Sequence, residues 1–366
     1  MQSQAVVFDG RSAPALVDIE LSPPGPGEVL VELSAAGVCH SDLHVVRGEW
    51  PVPLPVVLGH EGSGVVADIG SGVDELAAGD HVVLSWVAGC GHCRSCQAGR
   101  PVQCLTYASV IAPNGTLFDG TTRLSRAERP VHHYLGVSSF ARHAVVPASG
   151  AIRVRQDAPL DLAALVGCAV ARGVGAVERT AAVPQGATVA VIGCGGVGLS
   201  VVQAARLAGA AQIVAIDLVP AKLDLARALG ATDSVDAGTP AFEDAVRAVA
   251  PDGFDFAFDA IGRVSTTEQA IGLLGLGGAA VVVGLPPAGS RASFDPLTLA
   301  EADQRILGSN YGSIVPSVDI PRLVDMLVDG TLELEALVSA RRPLDEAATS
   351  LDDLAAGHAL RQLLIP

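Results

Sequence analysis

The sequence predicts a two-domain α/β chain: a β-rich, turn-rich first half followed by a doubly wound parallel sheet. Three observations predict it. The 366 residues exceed the about 100–200 of a typical domain and fill two. With 41 glycines, 49% hydrophobic residues and 17% charged ones, the composition fits close helix-on-sheet contacts and tight turns, and excludes disorder or a coiled coil. Near Gly186 the texture changes from short strands punctuated by Gly and Pro to apolar strands alternating with amphipathic helices.

In chain order, AVVF, EVLVELSAAGV, GSGVVADIG, DHVVLSW and ARHAVVP read as strands separated by turns such as SPPGPGE. From Gly186 onward ATVAVIG, QIVAID, FDFAFDA and AAVVVGL read as strands, with helices at VGLSVVQAARLAG and PAKLDLARALG. After about Ser309, IPRLVDMLVDG and DEAATSLDDLAAG read as helices and the chain ends RQLLIP. That tail is too short for a third domain and is expected to return to the first half. The expected boundaries are residues 1–169 with 311–366 for one domain and 170–310 for the other. No repeat of 20 to 50 residues and no low-complexity tract occurs.

A net charge of -16 and a pI near 4.8 repel phosphate backbones and anionic headgroups, so neither nucleic acid nor a membrane surface is expected as a partner. Two charge-free stretches, 186–205 and 270–290, have the length of a spanning helix. The first carries a glycine cluster and the second Pro286 and Pro287, so buried strands joined to turns or helices fit better. The start, MQSQAVVFDG, lacks the basic and apolar parts of a signal peptide. A cytoplasmic location is expected, where the seven cysteines serve as metal ligands or small buried residues.

Gly193, Gly195 and Gly198 form GCGGVG between the strand ATVAVI and a helix. The first glycine makes a tight turn, the second admits a pyrophosphate to the backbone, and the third lets helix and strand pack closely. The helix N-terminus, with Gly196 and Val197 in its first turn, then faces the phosphates. Asp217 ends the next strand, 19 residues beyond Gly198, where a carboxylate accepts hydrogen bonds from the adenosine ribose and repels a 2'-phosphate. A helix cap before Pro220 is the plainer role for Asp217 and does not exclude this one. Cys194 reads as a small buried residue.

Cys90, Cys93, Cys96 and Cys104 follow C-x2-C-x2-C-x7-C on a glycine-containing loop. Four thiolates this close surround one ion and leave no room for substrate, which points to a structural zinc, with an iron-sulfur cluster or chance clustering as the rivals. Cys39 in GVCHSDLH, His60 in GHEG and Cys168 read singly as buried thiols and a satisfied loop histidine.

Taken in order, GVCHSDLH, GHEGSGVV, the four-cysteine loop, GCGGVG, VAID and FDAIG resemble the zinc-dependent medium-chain alcohol dehydrogenases, liver-type branch, along nearly the whole chain. The resemblance implies a GroES-like catalytic domain interrupted by a Rossmann NAD-binding domain, with the active site between them. It implies two zinc ions per subunit: a catalytic one on Cys39, His60 and Cys168, whose open fourth position takes substrate, and a structural one on Cys90, Cys93, Cys96 and Cys104. By the same resemblance Ser41 holds the substrate oxygen and His44 is the outer histidine of a proton relay running through the cofactor ribose. Asp42 orients His60, and Glu61 lies beneath the metal. His40 and Arg361 align with cations that contact the pyrophosphate, although the family often has arginine at the former. Lys222 helps hold the ribose. Helix capping for Ser41 and Asp42, and a solvated surface for His40, His44, Lys222 and Arg361, are the plainer alternatives.

Trp50, Trp86, Tyr134 and Leu135 match positions lining the substrate channel, which implies a primary benzylic, allylic or medium-chain alcohol, interconverted with its aldehyde. A core position is the alternative for each tryptophan. Two other functions compete. One is a thiol-adduct formaldehyde dehydrogenase, whose acidic and arginine anchors align here with Trp50 and Ala108. The other is a catalytically silent NAD-binding scaffold, against which all three ligands, Ser41 and His44 are present. The loop from Leu105 to Tyr134 resembles that of dimeric members, so a homodimer is expected, with His132 and His133 in that loop read as solvated.

Overall fold

A computed structural model describes every residue except His358. The chain forms two compact units, Met1–Cys168 with Val315–Pro366, and Ala169–Ile314. Among the described residues no single helix is long and apolar enough to cross a membrane. The two charge-free stretches contain strands and helices of the second unit, including Thr188–Ile192, Gly196–Leu207 and Leu274–Val282.

In the first unit five strands close a barrel: Gln2–Phe8, Ala15–Leu21, Leu124–Arg126, Arg129–His133 and Val56–Val57. A second sheet runs Ala151–Arg153, His81–Leu84, Glu61–Ile69, Glu28–Val38, Arg361–Ile365, Val338–Pro343, and His143–Pro147 also pairs with Glu28–Val38. The tail thus enters the sheet of the first unit. Its Leu363 lies opposite Gly37, and Gly37 lies opposite Glu61 on the other side. Gly37 has to be glycine here, because a Cβ would sit 2.1 Å from Glu61 Oε2.

A core of Val6, Phe8, Val38, Tyr134, Phe140 and Leu364 receives Leu43 and Val45 from the short helix His40–Val46 and Leu351 and Leu354 from Ala347–Ala355. Burying that apolar stripe fixes the rotation of His40–Val46 and so the direction of its polar residues.

The second unit is a six-stranded parallel sheet in the order Asp233–Asp236, Gln212–Asp217, Thr188–Ile192, Phe254–Asp259, Leu274–Val282, Arg305–Gly308. Numbered along the chain this is 3-2-1-4-5-6, the dinucleotide-binding order, with its switch point between Thr188–Ile192 and Phe254–Asp259. The strand Thr188–Ile192 is almost wholly buried, as a parallel strand covered on both faces must be.

Sequence and structure differ in the region 105–134. It is not one loop: it contains the π-helical turn Tyr107–Ile111, the turn Ala112–Asn114 and two barrel strands. His133 therefore faces inward, 2% exposed, with its Nε2 accepting the Arg123 N–H at 3.2 Å. His132, half-buried, stays at the surface against the Asn114 carbonyl.

Candidate active site and metal centres

The four loop cysteines converge: their sulfurs all lie within 4.8 Å of one another, and Cys93 and Cys104 are 4.0 Å apart. A tetrahedral ion with metal–sulfur bonds of about 2.3 Å needs sulfurs about 3.8 Å apart. Backbone N–H groups of Cys90 and Tyr107 donate to the Cys104 sulfur at 3.3 and 3.4 Å, and that of Cys93 donates to the Cys90 sulfur at 3.4 Å. Such donors stabilise thiolates, so the set fits a structural zinc.

The second set is buried. Cys39 caps the helix His40–Val46, and its N–H donates to Asp42 Oδ2 at 3.2 Å. Asp42, fully buried, accepts the Gly59 N–H on Oδ1 at 3.0 Å and faces His60 Nδ1 at 3.4 Å. One carboxylate therefore ties the helix start to the loop that carries His60 and holds the imidazole by Nδ1. His60 Nε2 is left buried without a hydrogen-bond partner among the described residues. It lies with the sulfurs of Cys39 and Cys168 and a Glu61 oxygen, all within 4.8 Å of one another. An orphaned imidazole nitrogen beside two thiols fits a zinc ion bound with an open position. The Cys39 thiol is held well below its ordinary value by its hydrogen bond to Cys168, against the opposing effect of burial.

Glu61 and Arg361 form a buried ion pair beneath this set. Burial pushes the Glu61 carboxyl up and the guanidinium pulls it back. Arg361, expected at the cofactor pyrophosphate, thus spends its charge on Glu61, and its Nε has no partner among the described residues.

Ser41 Oγ is 3.7 Å from the Cys39 sulfur. Tyr134 O–H donates to the Ser41 carbonyl at 3.0 Å, and its ring stands edge-on to His60, centroids 5.6 Å apart at 89°. His44 pairs through Nδ1 with Glu49 and stacks on Trp50, centroids 4.5 Å apart at 19°. The chain after the helix folds back to make this clamp, the N–H groups of Glu49 and Trp50 reaching the His44 carbonyl at 2.9 and 3.3 Å. Trp86 is buried, and Leu135 is half-buried against the core. His40 is exposed.

In the second unit Gly193 has φ +94, and a Cβ on Gly198 would sit 1.7 Å from the Gly193 oxygen. A Cβ on Gly195 would meet nothing within 4 Å: the turn is open on that side, at the N-terminus of Gly196–Leu207, as a pyrophosphate cradle must be. Val197 is partly exposed there. Asp217 Oδ2 accepts the Cys194 N–H at 2.7 Å and Oδ1 the Val219 N–H at 3.0 Å, so the carboxylate expected at the ribose braces the glycine turn. Lys222 lies on Pro220–Ala228, half-buried. Cys194 is buried, and burial pushes its thiol up to about 12.

Residues 25–156 match the alcohol dehydrogenase GroES-like domain and residues 196–329 the zinc-binding dehydrogenase domain. The chain belongs to the zinc-dependent medium-chain alcohol dehydrogenase family. Its fold is the GroES-like plus Rossmann pair of that family, and it is a zinc-containing, NAD-dependent oxidoreductase. It is 36% identical over 372 residues, all of both chains, to the S-(hydroxymethyl)glutathione dehydrogenase of Escherichia coli. An alcohol dehydrogenase zinc-binding domain protein from Burkholderia ambifaria is similar at 38% identity with a TM-score of 0.95, and the benzyl alcohol dehydrogenase of Acinetobacter calcoaceticus at 34% and 0.94. Both solved structures cover 100% of this chain and are covered to 99% of their own.

Sequence reasoning missed Glu49 as a partner of His44 in this dehydrogenase. The only signal was a carboxylate five residues past the histidine, a spacing that no helix face brings together.

Proposed function

We propose that this dehydrogenase interconverts primary alcohols having a flat or extended apolar body, benzylic, allylic or medium-chain, with their aldehydes, using NAD. The observation that carries the reading is the aromatic lining on the site's two histidines: Trp50 lies flat on His44 and Tyr134 edge-on to His60. Indole and phenol faces favour an apolar substrate and offer no charge to a sugar or carboxylate. Burial adds about 0.8 kcal/mol per methylene.

When bound, zinc supplies the Lewis acidity that acidifies an alcohol, and NAD supplies the hydride acceptor. Asp42 holds Nδ1 of His60 so that Nε2 stays a lone-pair donor. Ser41, its backbone fixed by the Tyr134 hydroxyl, would accept the alcohol proton at Oγ while passing its own hydroxyl proton on along the relay. His44 returns it to solvent from Nε2, because Glu49 occupies Nδ1.

A second reading is favoured by the Escherichia coli relative: a thiol-adduct formaldehyde dehydrogenase. Against it stand the indole of Trp50 and the exposed Ala108 at the positions where such enzymes carry their acidic and cationic anchors. The test is a substrate screen. Benzyl or cinnamyl alcohol should exceed ethanol in kcat/KM, polyols should be poor, and Trp50→Ala should shift preference to bulkier alcohols. S-(hydroxymethyl)glutathione as the best substrate would overturn the reading, as would an unchanged preference in the variant.

We also infer a homodimer in the cytoplasm. The edge strand Arg305–Gly308 carries the exposed Ile306, and Leu276, Phe294 and Leu297 are exposed in the same unit, a set that a second copy would cover. Light scattering that gives one subunit's mass would refute the dimer.

A further inference from the structure

One buried cation of the second unit has no counter-charge. Arg172, in the helix Ala169–Gly175, is 6% exposed. One terminal guanidinium nitrogen donates to the Val283 carbonyl, Nε–H meets no acceptor, and among the described residues no carboxylate pairs with it. A guanidinium buried this way is costly, and its planar fork of donors is preorganised for an acceptor the protein does not provide.

Its place in the sheet says which acceptor. Val283 directly follows the strand Leu274–Val282, so Arg172 stands at the carboxyl edge, where doubly wound sheets bind their ligands. The helix carrying it packs directly on the glycine-turn helix, since a Cβ on the next residue, Gly173, would lie 2.5 Å from the Val197 oxygen. Asp217 ends the strand on one side of the glycine turn, while Val283 ends the strand two places away on the other, about 10 Å along the edge at about 4.8 Å per strand. With the adenosine ribose on Asp217 and the pyrophosphate over Gly195, the remaining half of the dinucleotide extends toward Val283. In the chain Arg172 follows Cys168 by four residues.

We propose that Arg172 positions the nicotinamide ring, its free Nε–H donating to the carboxamide oxygen while its other arm stays on the Val283 carbonyl. The proposal rests on the dehydrogenase reading above. The carboxamide then sets which ring face is turned to the substrate, so Arg172 is a cofactor-positioning residue whose loss acts on the nicotinamide end alone.

The test compares two ligands on the whole zinc-loaded protein by calorimetry: NADH, and ADP-ribose, which lacks nicotinamide. Arg172→Met should weaken NADH at least tenfold and leave ADP-ribose within twofold. Arg172→Lys, which keeps the charge but lacks the fork, should fall between. Intact ADP-ribose binding certifies the fold of the site, and if Arg172→Met does not fold, Arg172→Lys decides by the same comparison. Parallel losses on both ligands, or no loss on NADH, overturn the proposal. Wild type that binds neither ligand would overturn the dehydrogenase reading as well, whereas wild type binding both with indifferent variants removes only Arg172.

Discussion

The discrimination between NAD and NADP proposed for Asp217 can be separated by substitution from the hydrogen bonds that its carboxylate makes. Its oxygens brace the glycine turn by accepting the Cys194 and Val219 N–H groups, and in the proposed role its charge would face the ribose. A 2'-phosphate about 6 Å from the carboxylate, at an effective dielectric of about 20, is opposed by about 3 kcal/mol per unit charge. Asp217 is only half-buried, so salt screening brings this to about 1–2 kcal/mol, or about five- to thirtyfold in kcat/KM. Asp217→Asn removes the charge and keeps one carbonyl oxygen for one of the two N–H groups. Asp217→Gly removes both contacts as well, each worth about 1 kcal/mol. Wild type should therefore prefer NAD at least about fivefold. Asp217→Asn should narrow the ratio by about that factor with a small loss of Tm. Asp217→Gly should narrow it equally but weaken both cofactors and lower Tm further. The assay is kcat/KM with each cofactor at fixed ionic strength. Equal efficiency in wild type, or a ratio unmoved in Asp217→Asn, would refute the assignment.

Elemental analysis should give two zinc ions per subunit. Cys168→Ser should abolish turnover with the fold and NAD binding intact, whereas Cys96→Ser should destabilise the loop and lower Tm; one zinc in fully loaded wild type refutes the pair of sites. His44→Gln should slow alcohol oxidation near neutral pH more than at high pH, with the defect shrinking as buffer base is added; an unchanged pH-rate profile removes His44 from the relay. Burial pushes the His133 imidazole down to about 3, so below its unfolded value of about 6.5 the unfolded chain binds a proton that the folded one refuses. This contribution is whole above that value and is lost as pH falls toward 3, by about 1.4 kcal/mol at pH 5.5. Between pH 7.5 and 5.5 the stability advantage of wild type over His133→Gln should shrink by that amount in urea melts, and a constant advantage would show the imidazole to be solvated.

What was legible in the sequence follows the range of the interactions. The parallel sheet and its glycine turn read directly, because strand, turn and helix are contiguous and a Cβ at Gly198 has nowhere to go. The four-cysteine loop read as directly, its ligands lying within 15 residues. The chain positions of Cys39, His60 and Cys168 carry no such local pattern, and only resemblance joined them. The structure supplies the physical link that spacing lacked: Asp42, three residues after Cys39, is close enough to cap the same helix turn and long enough to reach across to Gly59 and His60.

The misreadings have a common cause. His133 lies on a short strand beside Pro130 with exposed Arg129, a polar stretch with no alternation to reveal an inward face, and that strand pairs with the distant Val56–Val57. Arg361, expected at the cofactor pyrophosphate, is brought to Glu61 by the terminal strand, which enters the sheet beside Val38. Arg172 escaped notice because a lone arginine in AVARGVG gives no periodic signal. In each case a polar side chain was buried by strands or helices remote in sequence, where its hydrogen bonds cannot be counted without the fold. Of these three only Arg172 is a charge without a counter-charge among the described residues: the His133 imidazole is kept neutral by burial and Arg361 has Glu61. A buried guanidinium N–H that the fold leaves without an acceptor calls for one from what the site binds, and at the carboxyl edge of this sheet the proposed acceptor is the carboxamide of the cofactor.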